Sequence, residues 1–198
     1  PLIRKAAATG KPLIMSTGMA SVSDIHDAVE AAKGEGNHNL ILLKCTSSYP
    51  ATAGDANIAT IPHLREMFGL QVGLSDHTLG IGVPCAAAAL GATVIEKHFT
   101  LRRSDGGVDA SFSLEPHEFS ALVEESERAW ASVGSVVYGG AEIEKKSLKF
   151  RRSLYIAKSV KQGDVLTEEN LRIVRPGYGL APKNIDVLLG RKVNRDLA

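Results

Sequence analysis

Short apolar runs alternate with amphipathic stretches over residues 11 to about 134. Two of these runs end in His77 and His98, and both are β-branched and flanked by glycine, which predicts buried parallel strands. The alanine-rich segment 80–91 between them predicts a helix. Strand, helix and strand together form a βαβ unit, which places the ends of two parallel strands side by side.

The same alternation predicts further units on either side of this one. Earlier strands are expected at Pro12–Met15 and Leu40–Leu43, and helices from Ser21 or Ser23, over Ile58–Phe68 and over Glu115–Ser132. Four successive βα units indicate a parallel α/β class, and they are half of an eight-unit barrel, which typically needs about 250 residues. A free half-barrel would expose two apolar strand edges, so we expect the chain to be a fragment.

The pattern changes after residue 133. Residues 134–150 combine paired glycines with alternating Glu and Lys, which indicates a linker carrying a short solvated helix. Residues 151–198 predict short strands and turns, including a rigid loop at Arg175–Gly179. We therefore expect a second, small domain near the lower size limit for independent folding.

Composition excludes several classes of protein. The net charge is +1, from 23 basic and 22 acidic residues, and gives no argument for binding nucleic acid or an anionic membrane. We expect no membrane segment, because no apolar run approaches the roughly 18 residues of a spanning helix. Cys45 and Cys85 are the only cysteines, and they are expected to be buried free thiols in a cytoplasmic protein.

The strand ends concentrate the candidate chemistry. Alternation places Ser75 with His77 on one face and Glu96 with His98 on the same face, with the intervening residues pointing the other way. Two imidazoles at adjacent strand ends suit a divalent metal and leave positions open for substrate. A helix cap and a hydrogen-bonded rim residue would explain either histidine alone, but the pair in register favours the metal site.

Serines at successive strand ends predict an anion site. Ser16, Ser47 and Ser75 each stand just before a helix or loop, where hydroxyls and helix N-termini bind phosphate or carboxylate groups. Arg175 lies on the rigid loop of the second domain and is a candidate ligand clamp, although such an arginine also occurs in ordinary surface turns.

A set of motifs in order along the chain resembles the sialic acid synthase family. The motifs are Ser-Thr-Gly-Met (16–19), Lys-Cys-Thr-Ser-Ser-Tyr-Pro (44–50), Gly-Leu-Ser-Asp-His-Thr (73–78), Ala-Leu-Gly-Ala-Thr-Val-Ile-Glu-Lys-His-Phe-Thr (89–100), Phe-Ser-Leu-Glu-Pro (112–116) and Arg-Pro-Gly (175–177). The resemblance implies that residues 1–133 are strands five to eight of a (β/α)8 TIM barrel. It also implies that residues 151–198 are a truncated antifreeze-like (SAF) domain, which is rich in β structure.

The resemblance also implies a reaction. Family members condense phosphoenolpyruvate (PEP) with an N-acetylated hexose, releasing phosphate and making a nonulosonic acid, and the motifs favour the branch that makes pseudaminic acid over the neuraminic and legionaminic acid branches. The resemblance implies that His77 and His98 bind a divalent metal, Mn or Mg. It implies that PEP is bound by Ser16, Ser47 and Ser75, and that the sugar is bound by Tyr49, Glu96, Asp109 and Arg175. Arg175 would come from the partner subunit, because the family forms a swapped homodimer.

The sequence departs from the family pattern in two respects, and two other interpretations of its function remain open. Val108 stands where the family often has proline, and the family lysines that bind PEP lie on barrel strands outside these residues, so the chain alone is expected to be inactive. The rival interpretations are a carbohydrate-binding SAF protein with a degenerate barrel, and an aldolase-type metal enzyme unrelated to PEP. The intact pair of histidines and Glu96 disfavour the first of these.

Overall fold

The computed structural model describes residues 1–197 and divides the chain into two compact units. The first unit comprises residues 1–134, and the second begins at Ser135. In the first unit, a parallel sheet has its four strands in the order β1-β2-β3-β4. The strands are β1 (Leu13–Ser16), β2 (Leu40–Cys45), β3 (Gln71–Asp76) and β4 (Ile95–Lys97), and the helices are α1 (Leu2–Ala7), α2 (Val22–Lys33), α3 (Thr60–Phe68), α4 (Gly82–Ala89) and α5 (Pro116–Val133).

Local sequence signals account for the helix boundaries. The Ser21 hydroxyl accepts the Asp24 N–H at 3.2 Å, and the Asp24 carboxylate accepts the Ser21 N–H at 2.8 Å, so Ser21 rather than Ser23 caps α2. Helix α3 ends at Phe68 and is capped by Gly69, whose φ of 63° is in the left-handed region that glycine adopts most readily. The predicted helices therefore form, with ends displaced by one or two residues.

Strand β4 is shorter than the apolar run that predicts it. It ends at Lys97, because the chain beyond it pairs with a loop instead of with β3: the His98 carbonyl accepts the Leu114 N–H at 2.9 Å. This contact lies between residues 16 positions apart, and the apolar pattern carries no signal for it. It turns the segment after His98 back over the strand ends.

The two faces of the sheet have different surroundings. The face that carries Leu42, Val72 and Leu74 packs against α2, α3 and α4 and forms the apolar core. On the other face, Ile14 is 50% exposed while Leu43 is 1% exposed. A parallel strand with only one face covered by helices is typical of barrels, in which the other face lines the interior. The parallel α/β class is thus confirmed, while the assignment of the strands as five to eight of a barrel stays a prediction.

The second unit is built from short elements. An antiparallel pair, β5 (Ser153–Ile156) and β6 (Leu171–Val174), is followed by the one-turn helix α6 (Ile185–Leu188). The predicted solvated helix over 134–150 is a 3-10 helix, Glu142–Phe150, with every residue exposed. No helix within residues 1–197 is long and apolar enough to cross a bilayer.

Candidate active site at the strand ends

The two histidines are neighbours just beyond the ends of β3 and β4. The parallel register pairs Ser75 with Glu96 and Asp76 with Lys97, and the next residues along the two strands are His77 and His98. Their ring centroids lie 5.2 Å apart, with the ring planes inclined at 67°. The predicted convergence of two imidazoles at one rim of the sheet is present in the structure.

The orientation of His77 is fixed by a backbone carbonyl. Its Nδ1 lies 2.9 Å from the carbonyl oxygen of Thr46, in the segment that follows β2. A carbonyl oxygen only accepts, so Nδ1 carries the proton and donates it, which leaves the Nε2 lone pair for a metal ion. A hydrogen bond on the second ring nitrogen is the usual device that fixes the tautomer and orientation of a metal-binding histidine.

His98 has an acidic neighbour from the long loop before α5. Its Nδ1 lies 3.5 Å from Oδ2 of Asp109. The Asp109 carbonyl accepts the Ser113 hydroxyl at 2.7 Å, which ties the residue to the C-terminal part of the same loop. The carboxylate thus lies close to the His98 imidazole, at a longer distance than the hydrogen bond that orients His77.

An arginine closes the ends of this loop. Arg103 donates to the Ser113 carbonyl at 3.0 Å and forms a two-pronged ion pair with Glu118 in the first turn of α5. The guanidinium and the Glu115 N–H, which donates at 2.8 Å, lower the pKa of Glu118 to about 2. The loop that carries Asp109 is therefore anchored on the helix that follows it.

Glu96 and Ser75 form a hydrogen-bonded pair on the same face as the histidines. The Ser75 hydroxyl donates to Glu96 Oε1 at 2.7 Å, and Ser75 is 4% exposed while Glu96 is exposed. An open cleft of ≈ 260 Å³ is lined by Ser75 to His77 and Glu96 to His98. The carboxylate is thus held in position while remaining accessible from the cleft.

Two aromatic rings pack against the histidines. Tyr49 packs against His77 with centroids 4.2 Å apart and ring planes inclined at 48°, and Phe112 packs on His98 at 5.0 Å. Tyr49 is 56% exposed, whereas Phe112 is 6% exposed. The phenol of Tyr49 is consequently open to a ligand, whereas the Phe112 ring is buried beside His98.

The three serines lie at the same rim but differ in environment. Ser16 ends β1, and its register partner Leu43 places it on the face that carries Ser75. Ser47 lies just past β2, and a Cβ added to Gly18 would come 3.3 Å from its hydroxyl, so the loop after β1 packs against it. Ser16 and Ser47 are exposed and Ser75 is buried.

The two imidazoles are the candidate ligands for a metal ion. Within residues 1–197 there is no cluster of three or more His, Cys, Asp or Glu side chains arranged to hold an ion. The residues fit a metal held by two imidazoles, because His77 keeps Nε2 unprotonated and the site opens into the cleft. Further ligands would come from water or substrate.

Sequence reasoning overlooked the groups that hold these side chains in place. Lys44 donates to the Cys45 carbonyl at 2.7 Å and to the Thr46 hydroxyl at 3.2 Å, which anchors the segment whose carbonyl binds His77. Burial lowers the pKa of Lys44. The buried pair of Asp76 and Lys97 was expected only to point away from the site. The parallel alignment of the two strands could have predicted this pair. If Ser75 lies beside Glu96, the next residues, Asp76 and Lys97, also lie side by side.

Arg175 lies in the second unit. It directly follows β6 and is exposed, and the Gly177 N–H in the same loop donates to the Lys149 carbonyl at 2.9 Å. The loop is therefore held within its own unit, as the rigid loop predicted from the sequence. The role of Arg175 toward a sugar stays a prediction.

An apolar groove of the first unit lies away from this rim. It lies between α4, β4 and α5 and is lined by Phe119, Leu122 and Trp130 among others. It contains none of the histidines, serines or strand-end carboxylates described above. We place the candidate chemistry at the strand ends, where polar groups converge.

Known proteins share both units. Residues 1–138 match the NeuB family and residues 151–198 match the SAF domain. Pseudaminic acid synthase from Campylobacter jejuni is 43% identical over 198 residues, which is 98% of this chain and 57% of that protein. Pseudaminic acid synthase from Helicobacter pylori is 39% identical over 200 residues, 99% of this chain and 58% of that protein.

A solved structure supports the same relation. The crystal structure of N-acetylneuraminic acid (sialic acid) synthetase from Leptospira borgpetersenii, in complex with citrate, superposes with a TM-score of 0.68 at 39% identity, covering 76% of this chain and 52% of that one. The chain thus spans somewhat more than half the length of the relatives it matches.

Proposed function

Because the chain belongs to the NeuB family of sialic acid synthases and carries a SAF domain, we propose that its enzyme condenses PEP with an N-acetylated amino-hexose to make a nonulosonic acid and phosphate. The names of the relatives point to pseudaminic acid as the product. The observation that carries the proposal is the pair of neighbouring imidazoles, with the His77 tautomer fixed by Thr46 and with Glu96 on the same face.

His77 and His98 would hold a divalent metal, Mn or Mg. When bound, such an ion supplies Lewis-acid polarisation of the sugar aldehyde. The Thr46 carbonyl orients His77 before substrate enters, and the Asp109 carboxylate, 3.5 Å from Nδ1 of His98, would orient the second imidazole.

In the proposed reaction, the enol carbon of PEP forms a bond to the aldehyde carbon of the open-chain sugar. Water then adds to the cationic carbon that results, and the C–O bond to phosphate breaks. Glu96 is accessible from the cleft and is held by Ser75, so it would hold or deliver a proton at the sugar carbonyl oxygen.

The remaining residues are proposed to bind the two substrates. Ser16, Ser47 and Ser75 would contact PEP, together with lysines from parts of the enzyme outside these residues. Tyr49 and Asp109 would contact the sugar, and both lie beside the histidines. Arg175 would reach the sugar from the partner subunit of a swapped homodimer.

Phosphate release by the full-length enzyme tests the metal and the histidines. We expect EDTA to abolish release from PEP and Mn²⁺ to restore it. His77→Ala should lower the rate at least about 100-fold, as loss of a polarising group does. His63→Ala is the matched control, because His63 is an exposed histidine on α3 and lies outside the site. Full metal-dependent activity of His77→Ala would contradict the proposal.

The sugar identifies the branch of the family. A pseudaminic acid synthase should accept 2,4-diacetamido-2,4,6-trideoxy-altropyranose and discriminate against N-acetylmannosamine. Phe112 packs on His98 and is 6% exposed, and it is the residue that we propose as the apolar contact for the C6 methyl. An apolar surface rejects an added hydroxyl by only about 100-fold, so most of the discrimination should come from the acetamido group at C4. Equal or better turnover of N-acetylmannosamine would assign the enzyme to the neuraminic acid branch.

A further inference from the structure

A buried ion pair lies directly behind the two histidines. Lys97 Nζ is 2.6 Å from Asp76 Oδ2, and the two side chains are 1% and 2% exposed. They project from the face of the sheet opposite to Ser75 and Glu96, toward the apolar core and its helices. Buried ion pairs usually add no stability over an apolar pair of the same volume, so another role accounts better for this one.

The pair also holds the backbone on both sides of His77. The Asp76 carboxylate accepts the Thr78 N–H at 3.1 Å and the Thr78 hydroxyl at 3.0 Å. Lys97 donates to the Thr78 carbonyl. Asp76 and Thr78 flank His77, and Lys97 precedes His98, so one buried network connects the backbone segments that carry both imidazoles.

These contacts lie at the end of the β3–β4 strand pairing. The β3–β4 register ends with Asp76 and Lys97, so the histidines lie one residue beyond it. The side-chain contacts among Asp76, Lys97 and Thr78 continue the connection between the two strands past the last paired residues. An apolar pair would fill the space but could not donate to the Thr78 carbonyl or accept its N–H.

We propose that Asp76 and Lys97 are positioning residues that set the separation and orientation of His77 and His98 for a divalent metal. The inference rests on the proposed function for the metal, but the arrangement of the metal-free rings can be measured independently of it.

The experiment separates positioning from stability in the full-length enzyme. The double variant Asp76→Leu/Lys97→Met leaves no charge unpaired, so we expect it to fold, with a melting temperature lowered because the buried N–H, hydroxyl and carbonyl of Thr78 lose these partners. Its Mn²⁺ affinity, measured by electron paramagnetic resonance of free Mn²⁺, should fall about 10–100-fold. Glu124→Gln/Arg128→Met is the matched control, because it removes an exposed ion pair on α5 and should leave the affinity unchanged.

A second variant covers the case in which the double variant does not fold. Thr78→Val keeps the shape of the side chain and removes the hydroxyl donor to Asp76. It should weaken Mn²⁺ binding several-fold without lowering the melting temperature in proportion. Mn²⁺ affinity that follows only the melting temperature across all the variants would overturn the proposal.

Crystal structures of the metal-free variants provide the independent measurement. The separation of the His77 and His98 rings should depart from 5.2 Å by about 0.5 Å or more. An unchanged separation would overturn the positioning role. Wild-type enzyme that binds no Mn²⁺ at the histidines would instead refute the metal in the proposed function, and the ring separation would still decide the role of Asp76 and Lys97.

Discussion

At the scale of single residues, hydrogen bonds from neighbouring groups hold the histidine and carboxylate side chains of the site in place. The Thr46 carbonyl fixes the tautomer of His77, and Ser75 fixes Glu96. Gly73 in β3 is another such residue, because the backbone around it leaves no room for a side chain. An added Cβ would overlap the Val94 carbonyl oxygen and come 2.7 Å from Leu43 Cδ2. The close approach of β3 and β4 that brings the histidines together thus requires glycine at this position.

Gly73→Ala should therefore destabilise the protein by about 3 kcal/mol, because the methyl group must displace strand backbone. Gly82→Ala is the matched control: Gly82 begins α4, and nothing lies within 4 Å of an added Cβ. This control should change the free energy of unfolding by less than about 0.5 kcal/mol. Urea unfolding followed by circular dichroism measures both variants, and equal stability of the two would contradict the close packing of β3 against β4.

At the scale of elements, the loop before α5 is the part of the site that the periodicity of apolar residues does not predict. It carries Asp109 and Phe112 to the histidines through two short 3-10 turns. Its ends are held by Arg103, which donates to the Ser113 carbonyl and pairs with Glu118. The placement of the sugar-binding candidates therefore depends on an ion pair at the start of a helix.

This ion pair predicts a pH dependence. The Arg103 guanidinium and, to a smaller extent, the Glu115 N–H lower the pKa of Glu118 from 4.5 to about 2, so the ionised carboxylate stabilises the fold fully above pH 4.5. The stabilisation is lost as the pH falls from 4.5 toward 2. Glu118→Gln should therefore cost about 1 kcal/mol at pH 7, a value reduced by solvent screening of a half-buried pair, and almost nothing near pH 2.

Thermal unfolding of the wild type and of Glu118→Gln across pH 7 to 2 measures this difference. Glu127→Gln removes an exposed carboxylate from the same helix and serves as the control. A gap between Glu118→Gln and the wild type that persists unchanged at pH 2 would show that the side chain stabilises the loop by packing rather than by its charge.

At the scale of the whole molecule, the two units are joined by an exposed segment. Val136 is 87% exposed and Tyr138 93% exposed, and no helix or strand is present from Gly134 to Ala141. The NeuB match ends at residue 138 and the SAF match begins at residue 151. Structure and family matches thus place the junction in the same part of the chain.

Limited proteolysis tests this junction. Chymotrypsin should cut first after Tyr138, because an exposed segment without backbone pairing fits a protease readily. The cut would separate the residues of the first unit from those of the second. Tyr138→Ser should slow the first cut, whereas Tyr178 should resist longer, since its neighbour Gly177 is hydrogen-bonded to Lys149. A first cut within the sheet of the first unit would contradict this description.

The sequence by itself determined the parallel α/β class, the order of its elements and the face on which the chemistry lies. Apolar periodicity and glycine breaks are local signals, and alternation along a strand follows from backbone geometry, so Ser75 with Glu96 and His77 with His98 could be predicted as neighbours. Family motifs supplied the expected substrates and metal.

Only the tertiary structure decided how those side chains are held. The Thr46 carbonyl at His77, the Asp109 carboxylate at His98 and the Lys97–Asp76 network behind both join residues that are 11 to 31 positions apart. Such contacts depend on how the loops fold back over the strand ends, and no local propensity encodes that. The sequence thus identified the two imidazoles as the candidate metal site, and the packing of loops and strands fixed the tautomer of His77 and the separation and relative orientation of the two rings.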